Sequence, residues 1–483
     1  MVEERLAAEL TVLLLYIVLG TIGAIVARKY GVKTTREYYI GGGKLGTFLS
    51  ALTYAATTYS SFMIVGLVGI AYFTGIGSLG FELSYYIATL LLLGALAPVI
   101  YRKAREKGWV TPSEMLGDLY GSPRLAAVIS VLYFLALLPY ASAQFKGIGE
   151  TIATAGGQGY YAWGILLALI LVLAWTILAG IWSVAVTDAI QGLWMIAAAV
   201  LLLGWIAWHL TSEMHMTTST IMSQLEKEGL LDVSPGKGFW KIPVFISFTL
   251  PWLFFALTNP QVVQRLYMPR DKRSLRGMVI WFGVFGLIYT LMVVAIGMLA
   301  RAGGHTLLPY KLHGKDSVTP ALLNVAPLWI SVIVFVSIIA ASISTVDSII
   351  LTVSSSIGHD LPYDKRRISE LSVTKTTIVL MALVVAGIAY MRVSYIVQLS
   401  VLSSLFLLPL LPPTLAGILS ENPVRYNKLS WASIILGLTA AAVLTYYVGV
   451  SGVFKTPVLG LTTPVWVFIA SWIPWIAAPW SRG

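Results

Sequence analysis

The feature that most constrains this chain is a succession of apolar runs, each about 20 residues or longer, the length a helix needs to cross bilayer hydrocarbon. They lie near 7–28, 47–75, 80–101, 122–153, 161–181, 184–209, 241–266, 276–301, 326–357, 373–391, 393–419, 428–449 and 460–480. Hydrocarbon offers no hydrogen-bond partners, so a backbone crossing it must satisfy itself, and runs of this length do so as helices. The predicted fold class is an all-α integral membrane protein with about thirteen transmembrane helices. Composition agrees, since 58% of the 483 residues are hydrophobic and 11% are charged, against about 25% charged in a soluble domain. With no cysteine, disulfides, thiolate metal sites and thiol chemistry are excluded.

The net charge of +11 does not point to nucleic acid, because the Lys and Arg fall in short runs between apolar segments: "RKYGVKTTR", "YRKAREK", "QRLYMPRDKRSLR" and "HDLPYDKRR". These loops, after spans one, three, seven and nine, hold most of the basic residues, together with the loop after span eleven and the tail. The positive-inside bias therefore places the amino terminus outside and the carboxyl terminus in the cytoplasm, across the plasma membrane. The acidic start "MVEERLAAEL" lacks a signal peptide's basic region, so the first span is read as a retained helix. The longest polar stretches, 211–238 and 302–325, are then outside loops, and no soluble domain is expected. "GIGSLG" (Gly75–Gly80) has nucleotide-loop spacing but lies between two membrane helices, so it reads as a tight external turn. His209, His215, His305, His313 and His359 show no metal-ligand spacing. The expected surroundings are the lipid bilayer, with no nucleic acid and no obligate protein partner.

Two spans carry clustered polar residues. Thr57, Thr58, Tyr59, Ser60 and Ser61 interrupt the second, while Ser342, Ser344, Thr345, Asp347 and Ser348 lie in "SVIVFVSIIAASISTVDSIILTVSSSIGHD". An intramembrane carboxylate should face the bundle interior and meet a cation or donor. A broken helix offers free carbonyls and a Ser/Thr-rich helix offers hydroxyls, which together suit a hard cation at the midplane. The alternative is small residues for close helix packing, with Ser and Thr bonded back to their own backbone.

At these residues the chain resembles the sodium:solute symporter family, which includes sodium–glucose, proline, pantothenate, iodide and sialic acid transporters. The stretches that carry the resemblance are "YYIGGGKLGTFLSALTYAATTYSSFMIVGLVGIAY", "VAVTDAIQGLWM", "NPQVVQRLYMPRDK" and "IIAASISTVDSIILTVSSSI". The resemblance implies a LeuT-like 5+5 inverted repeat over 47–421, with halves of about 47–209 and 241–419. One accessory helix would precede it at 1–28, and two would follow in 428–483. The first span of each half would be discontinuous, near Thr57–Ser61 and Ala256–Pro260. The implied Na⁺ ligands are the carbonyls of Ala56, Tyr59 and Ala341 and the hydroxyls of Ser344 and Thr345. A possible second cation site maps to Ser344, Asp188, Asp347 and Ser348, where Asp347 replaces the serine of the sialic acid relative. A structural or proton-linked acid is equally open.

The same resemblance places a solute between the two breaks, against Thr58, Ser60, Met63, Phe81, Glu82, Gln144 and Asn259. Glu82 stands where the bacterial galactose carrier has a sugar-binding acid, whereas Met63 replaces one of that carrier's polar contacts. Lys146, in "YASAQFKGIGETI", falls inside a span and has three readings. It snorkels outward beside Glu150, it pairs with Glu82, or it holds a solute carboxylate. The implied function is sodium-coupled symport of an amino acid such as proline, or of a monocarboxylate. The alternatives are a sodium-coupled sugar symporter and a sodium-independent facilitator or sensor. An enzyme would need a nucleophile–base pair or metal cluster, and a channel a repeated filter; the sequence has neither.

Overall fold

A computed structural model describes residues 2–31, 34–232, 238–309 and 311–476. Eleven helices are long and apolar enough to cross a membrane, or twelve when one bent pair counts as a single span. In chain order, span one is Arg5–Val26 and span two is the pair Thr47–Thr58 and Phe62–Thr74, bent by 46°. Spans three to six are Gly77–Lys107, Pro123–Gly156, Gln158–Ile177 and Gly180–Glu213. Spans seven to twelve are Ile242–Arg265, Lys272–Leu307, Leu328–Asp360, Glu370–Tyr390, Ile396–Leu419 and Pro423–Gly452. Span thirteen is the shorter apolar helix Thr463–Ile476; residues 477–480 of its expected run lie outside the described residues. Every apolar run of the sequence is thus helical.

Local chemistry sets the ends of these helices. Asp271 accepts the Ser274 amide at 2.7 Å and caps span eight. Thr111 and Glu114 form a capping box on the short helix Pro112–Leu119. Between spans five and six, Gly180 adopts φ 56° and ψ −145°, and a Cβ there would strike the Tyr38 backbone oxygen. Only glycine turns the chain at that point.

The two discontinuities have different causes. In span seven, Pro260 drives its predecessor out of the helical region, and Asn259 is extended at φ −88° and ψ 113°. In span two, Tyr59 takes a similar conformation, φ −95° and ψ 112°, with no proline nearby. Its ring stacks on Phe282 and Phe285 of span eight, with centroids 5.6 and 5.7 Å away, so tertiary packing fixes this break.

Burial separates core from periphery. The central windows of spans nine and eleven are each 89% buried, against 17% for span one and 22% for span twelve. Span nine packs on spans four, five, six and ten, and span eleven packs on span four. The polar segment of span nine therefore lies at the centre of the molecule, facing the break in span two.

Candidate ion and solute site

The helix end at Thr58 frees Ala56 O from the helical ladder, and span nine supplies the replacement donors. Ser344 Oγ donates to Ala56 O at 3.0 Å and to its own Ala341 O at 3.0 Å. Thr345 Oγ1 donates to Ala56 O at 3.1 Å and to Thr57 O at 3.4 Å. Four of the five expected Na⁺ ligands thus form one buried cluster, and Tyr59, the fifth, sits at the break itself. Three carbonyls and two hydroxyls are the hard, neutral oxygen set that suits a monovalent hard cation. Ser342, by contrast, bonds back to Ile338 O at 2.9 Å, which is the packing role.

The acids of the expected second site face other partners. Asp188 accepts from Thr53 Oγ1 at 2.6 Å, and the Arg265 guanidinium lies 3.8 Å from the same carboxylate oxygen. Arg265 Nη2 also donates to Ser348 Oγ at 2.5 Å, and Ser348 shares a 3.0 Å hydrogen bond with Thr57. Asp347 accepts from Thr176 of span five at 2.8 Å. Sequence reasoning missed Arg265 by counting it with the inner basic loop; it is completely buried. The chain thus supplies its own cation between Asp188 and Ser348. An Arg directly after an apolar stretch that already contains Asn259-Pro260 was the available signal.

The expected solute residues lie in the interior, most of them bonded to neighbouring protein atoms. Thr58, Ser60, Met63, Phe81, Glu82, Gln144 and Asn259 are all buried. Thr58 Oγ1 donates to Tyr54 O at 2.8 Å, and Ser60 Oγ accepts the Phe62 amide at 3.1 Å. Gln144 accepts from Ser61 Oγ at 2.7 Å, and Asn259 Nδ2 donates to Ser404 Oγ at 3.2 Å. Sequence reasoning missed the aromatic residues beside them. Trp252 lies 4.9 Å from Phe62, 5.4 Å from Tyr85 and 6.2 Å from Tyr140, measured between ring centroids. Glu82 lies beside Trp252, Tyr85 beside Thr89 and Tyr140 beside Ser60, each pair close enough to interact through its polar atoms, while Asn259 Oδ1 and both side-chain polar atoms of Gln261 are buried without a hydrogen-bond partner. Orphaned polar atoms are costly in a folded core, and those of Asn259 and Gln261 fall at the break in span seven.

Lys146 corrects two of its three readings. Its ammonium meets Asp316 Oδ2 at 2.5 Å and donates to Ser394 O at 2.9 Å, so its partner is Asp316 and not Glu82. Glu150 is instead 3.5 Å from Arg392, which removes the snorkelling pair. Asp316 also accepts the Ile396 amide at 3.2 and 3.1 Å. One carboxylate thereby ties span four, the loop before span nine and the start of span eleven together. The other end of the molecule is fastened separately, where Arg105 Nη2 donates to Gly43 O, Pro269 O and Arg270 O at 2.6, 2.7 and 2.9 Å.

Comparisons with known proteins bear on the family and the fold. Over 360 residues the chain is 27% identical to the sodium/pantothenate symporter of Haemophilus influenzae, covering 73% of this chain and 71% of that one. It is 29% identical over 332 residues to the sodium/pantothenate symporter of Escherichia coli, covering 67% and 66%. The substrate-bound, outward-open structure of a Na⁺-coupled sialic acid symporter matches with a TM-score of 0.77 over 98% of both chains. At 19% identity that likeness shows the fold. These relatives are transporters and not enzymes. A model of the sodium:solute symporter family matches residues 38–413, well over half of the sequence, and the chain belongs to that family.

Proposed function

We propose that this protein moves a small organic monocarboxylate into the cell together with Na⁺, by alternating access across the plasma membrane. The observation that carries the reading is the convergence of Ser344 and Thr345 hydroxyls on Ala56 O at the span two break. The repeat halves are spans two to six and seven to eleven, with spans one, twelve and thirteen as accessories. Support comes from Tyr59 and Asn259, single extended residues that interrupt the first span of each half. The separate fastenings at Asp316 and Arg105 lie at opposite ends of the molecule, with the solute chamber placed between the Tyr59 and Asn259 breaks, as two alternately opening gates require. The coupling ratio is one Na⁺ per solute, because Arg265 neutralises Asp188.

The solute class rests on the sodium/pantothenate symporter relatives. Pantothenate is a monocarboxylate that also carries hydroxyl and amide donors, and the buried Glu82 carboxyl beside Trp252 offers them an acceptor. The same carboxyl suits the ammonium of an amino acid such as proline, which is the second reading. Purified protein in proteoliposomes, given radiolabelled pantothenate or proline under an inward Na⁺ gradient, separates the two. Uptake that proceeds equally when choline replaces Na⁺ refutes the symport reading and moves the protein to a facilitator.

A further inference from the structure

The connections after spans six, eight, ten and twelve all lie on one face, because each is separated from the next by two crossings. Phe239, Lys315, Tyr395 and Lys455 come from those four connections. The Lys315 ammonium sits 4.0 Å from the Phe239 ring centroid and 4.6 Å from that of Tyr395, and the Lys455 ammonium sits 5.2 Å from Phe239. The two ammonium groups can be no further apart than the two Phe239 distances laid end to end. Among the described residues neither has a carboxylate within ion-pair distance, and Asp316, beside Lys315 in sequence, is committed to Lys146 and the Ile396 amide. Cation–π contact holds each ammonium at the ring, yet two like charges at one ring repel. Burial and Lys455 together push the Lys315 ammonium down to about 8. Tyr395 adds an enclosed hydroxyl with no hydrogen-bond partner.

We propose that Lys315 and Lys455, gathered around Phe239, form a docking site for an organic carboxylate at the outer mouth of the transport path. Its place in that path rests on the monocarboxylate reading above. Phe239 contacts Trp240 at 4.9 Å, Trp240 stacks on Phe81 at 5.6 Å, and Phe81 lies 6.3 Å from Phe62 in the chamber wall. A carboxylate held at the lysines is therefore one continuous line of rings away from Trp252, with the Lys146–Asp316 gate alongside. The site concentrates the anion at the mouth, and the rings pass its apolar part inward.

The test uses full-length protein in phosphatidylcholine nanodiscs, with lysines ¹³C-dimethylated so that each keeps its charge, and acetate as the probe. Acetate should shift the Lys315 and Lys455 resonances together with one half-saturation, while acetamide shifts neither. K455Q, on an exposed loop where folding is not at stake, should weaken the acetate response of Lys315 about tenfold. An acetate response unchanged in K455Q, or matched by acetamide, overturns the proposal. So does a response to phosphatidylglycerol without one to acetate, which would assign the pair to lipid headgroups. In proteoliposomes K455Q should raise the half-saturating pantothenate concentration severalfold at unchanged maximal rate. A wild type that carries no pantothenate refutes that solute, while the acetate titration still decides the docking site.

Discussion

Neutralising Lys146 or Asp316 should damage the protein far more than neutralising both. The charges are 2.5 Å apart, with side chains 9% and 6% exposed. At an effective dielectric near 20 such a pair attracts by about 7 kcal/mol, much of which offsets the desolvation of the two ions. Removing one partner leaves a lone buried charge and costs about 3–5 kcal/mol, whereas replacing both with neutral groups is close to neutral. Lys146→Met and Asp316→Asn should each lower the melting temperature by several degrees, and the double variant should recover most of the loss. Recovery will be incomplete, because Asp316 also accepts the Ile396 amide and Lys146 also holds Ser394 O. The assay is thermal unfolding of purified protein, paired with counterflow of pantothenate. If the pair is an outer gate, the double variant should exchange solute readily yet accumulate it poorly, since the outer face no longer closes firmly. A double variant as unstable as the sum of the singles refutes the ion-pair argument. One that is stable but accumulates solute normally refutes the gate.

Replacing Ser344 or Thr345 with alanine removes a hydroxyl from the desolvated cation and should cost about 1–3 kcal/mol, a tenfold to hundredfold loss of apparent Na⁺ affinity; a Na⁺ half-saturation that does not move in the double variant rules the site out. Asp188→Asn should destabilise by stranding Arg265, with much of the loss restored by adding Arg265→Gln, and reversal potentials should give one Na⁺ per solute before and after. A ratio that falls from two to one would return Asp188 to a second cation site. Asp347→Ser keeps a hydroxyl for Thr176 and should preserve uptake; its loss would make the charge of Asp347 essential. Docking at Lys315 should be full below about pH 8 and fall as external pH rises through it, because burial first and then Lys455 lower that ammonium more than Asp316 restores it. Tyr395, the other titratable group facing it, stays neutral there, since burial raises its phenol, and K455Q should move the midpoint upward. A midpoint unmoved by K455Q refutes the coupling.

What the sequence carried was whatever depends on chain-local physics. Thirteen runs of apolar residues had to be helices because hydrocarbon satisfies no backbone, and Asn259-Pro260 announced its own break. The oxygen cluster at Ala56, Ser344 and Thr345 was reachable because a broken polar helix and a Ser/Thr-rich span are both local patterns, and the family resemblance supplied the particular residues. Other features depend on tertiary packing. Tyr59 is extended because span eight offers Phe282 and Phe285 to its ring, a contact across more than two hundred residues that no local pattern announces. Arg265 read as a loop charge because it follows an apolar run, and only the position of Asp188 and Ser348 around it makes it an interior cation. Asp316 sits in a polar connection that reads as solvent-exposed, yet it closes on Lys146 from a distant span. The two errors share a cause. A charge is costly inside a membrane protein only when unpaired, and pairing is decided by the far side of the fold. An isolated intramembrane charge therefore predicts that a partner exists without saying where. Lys146 required a carboxylate and Asp188 required a cation, and the chain supplied them from a polar connection and from the end of a broken apolar run, neither of which says which charge it will meet.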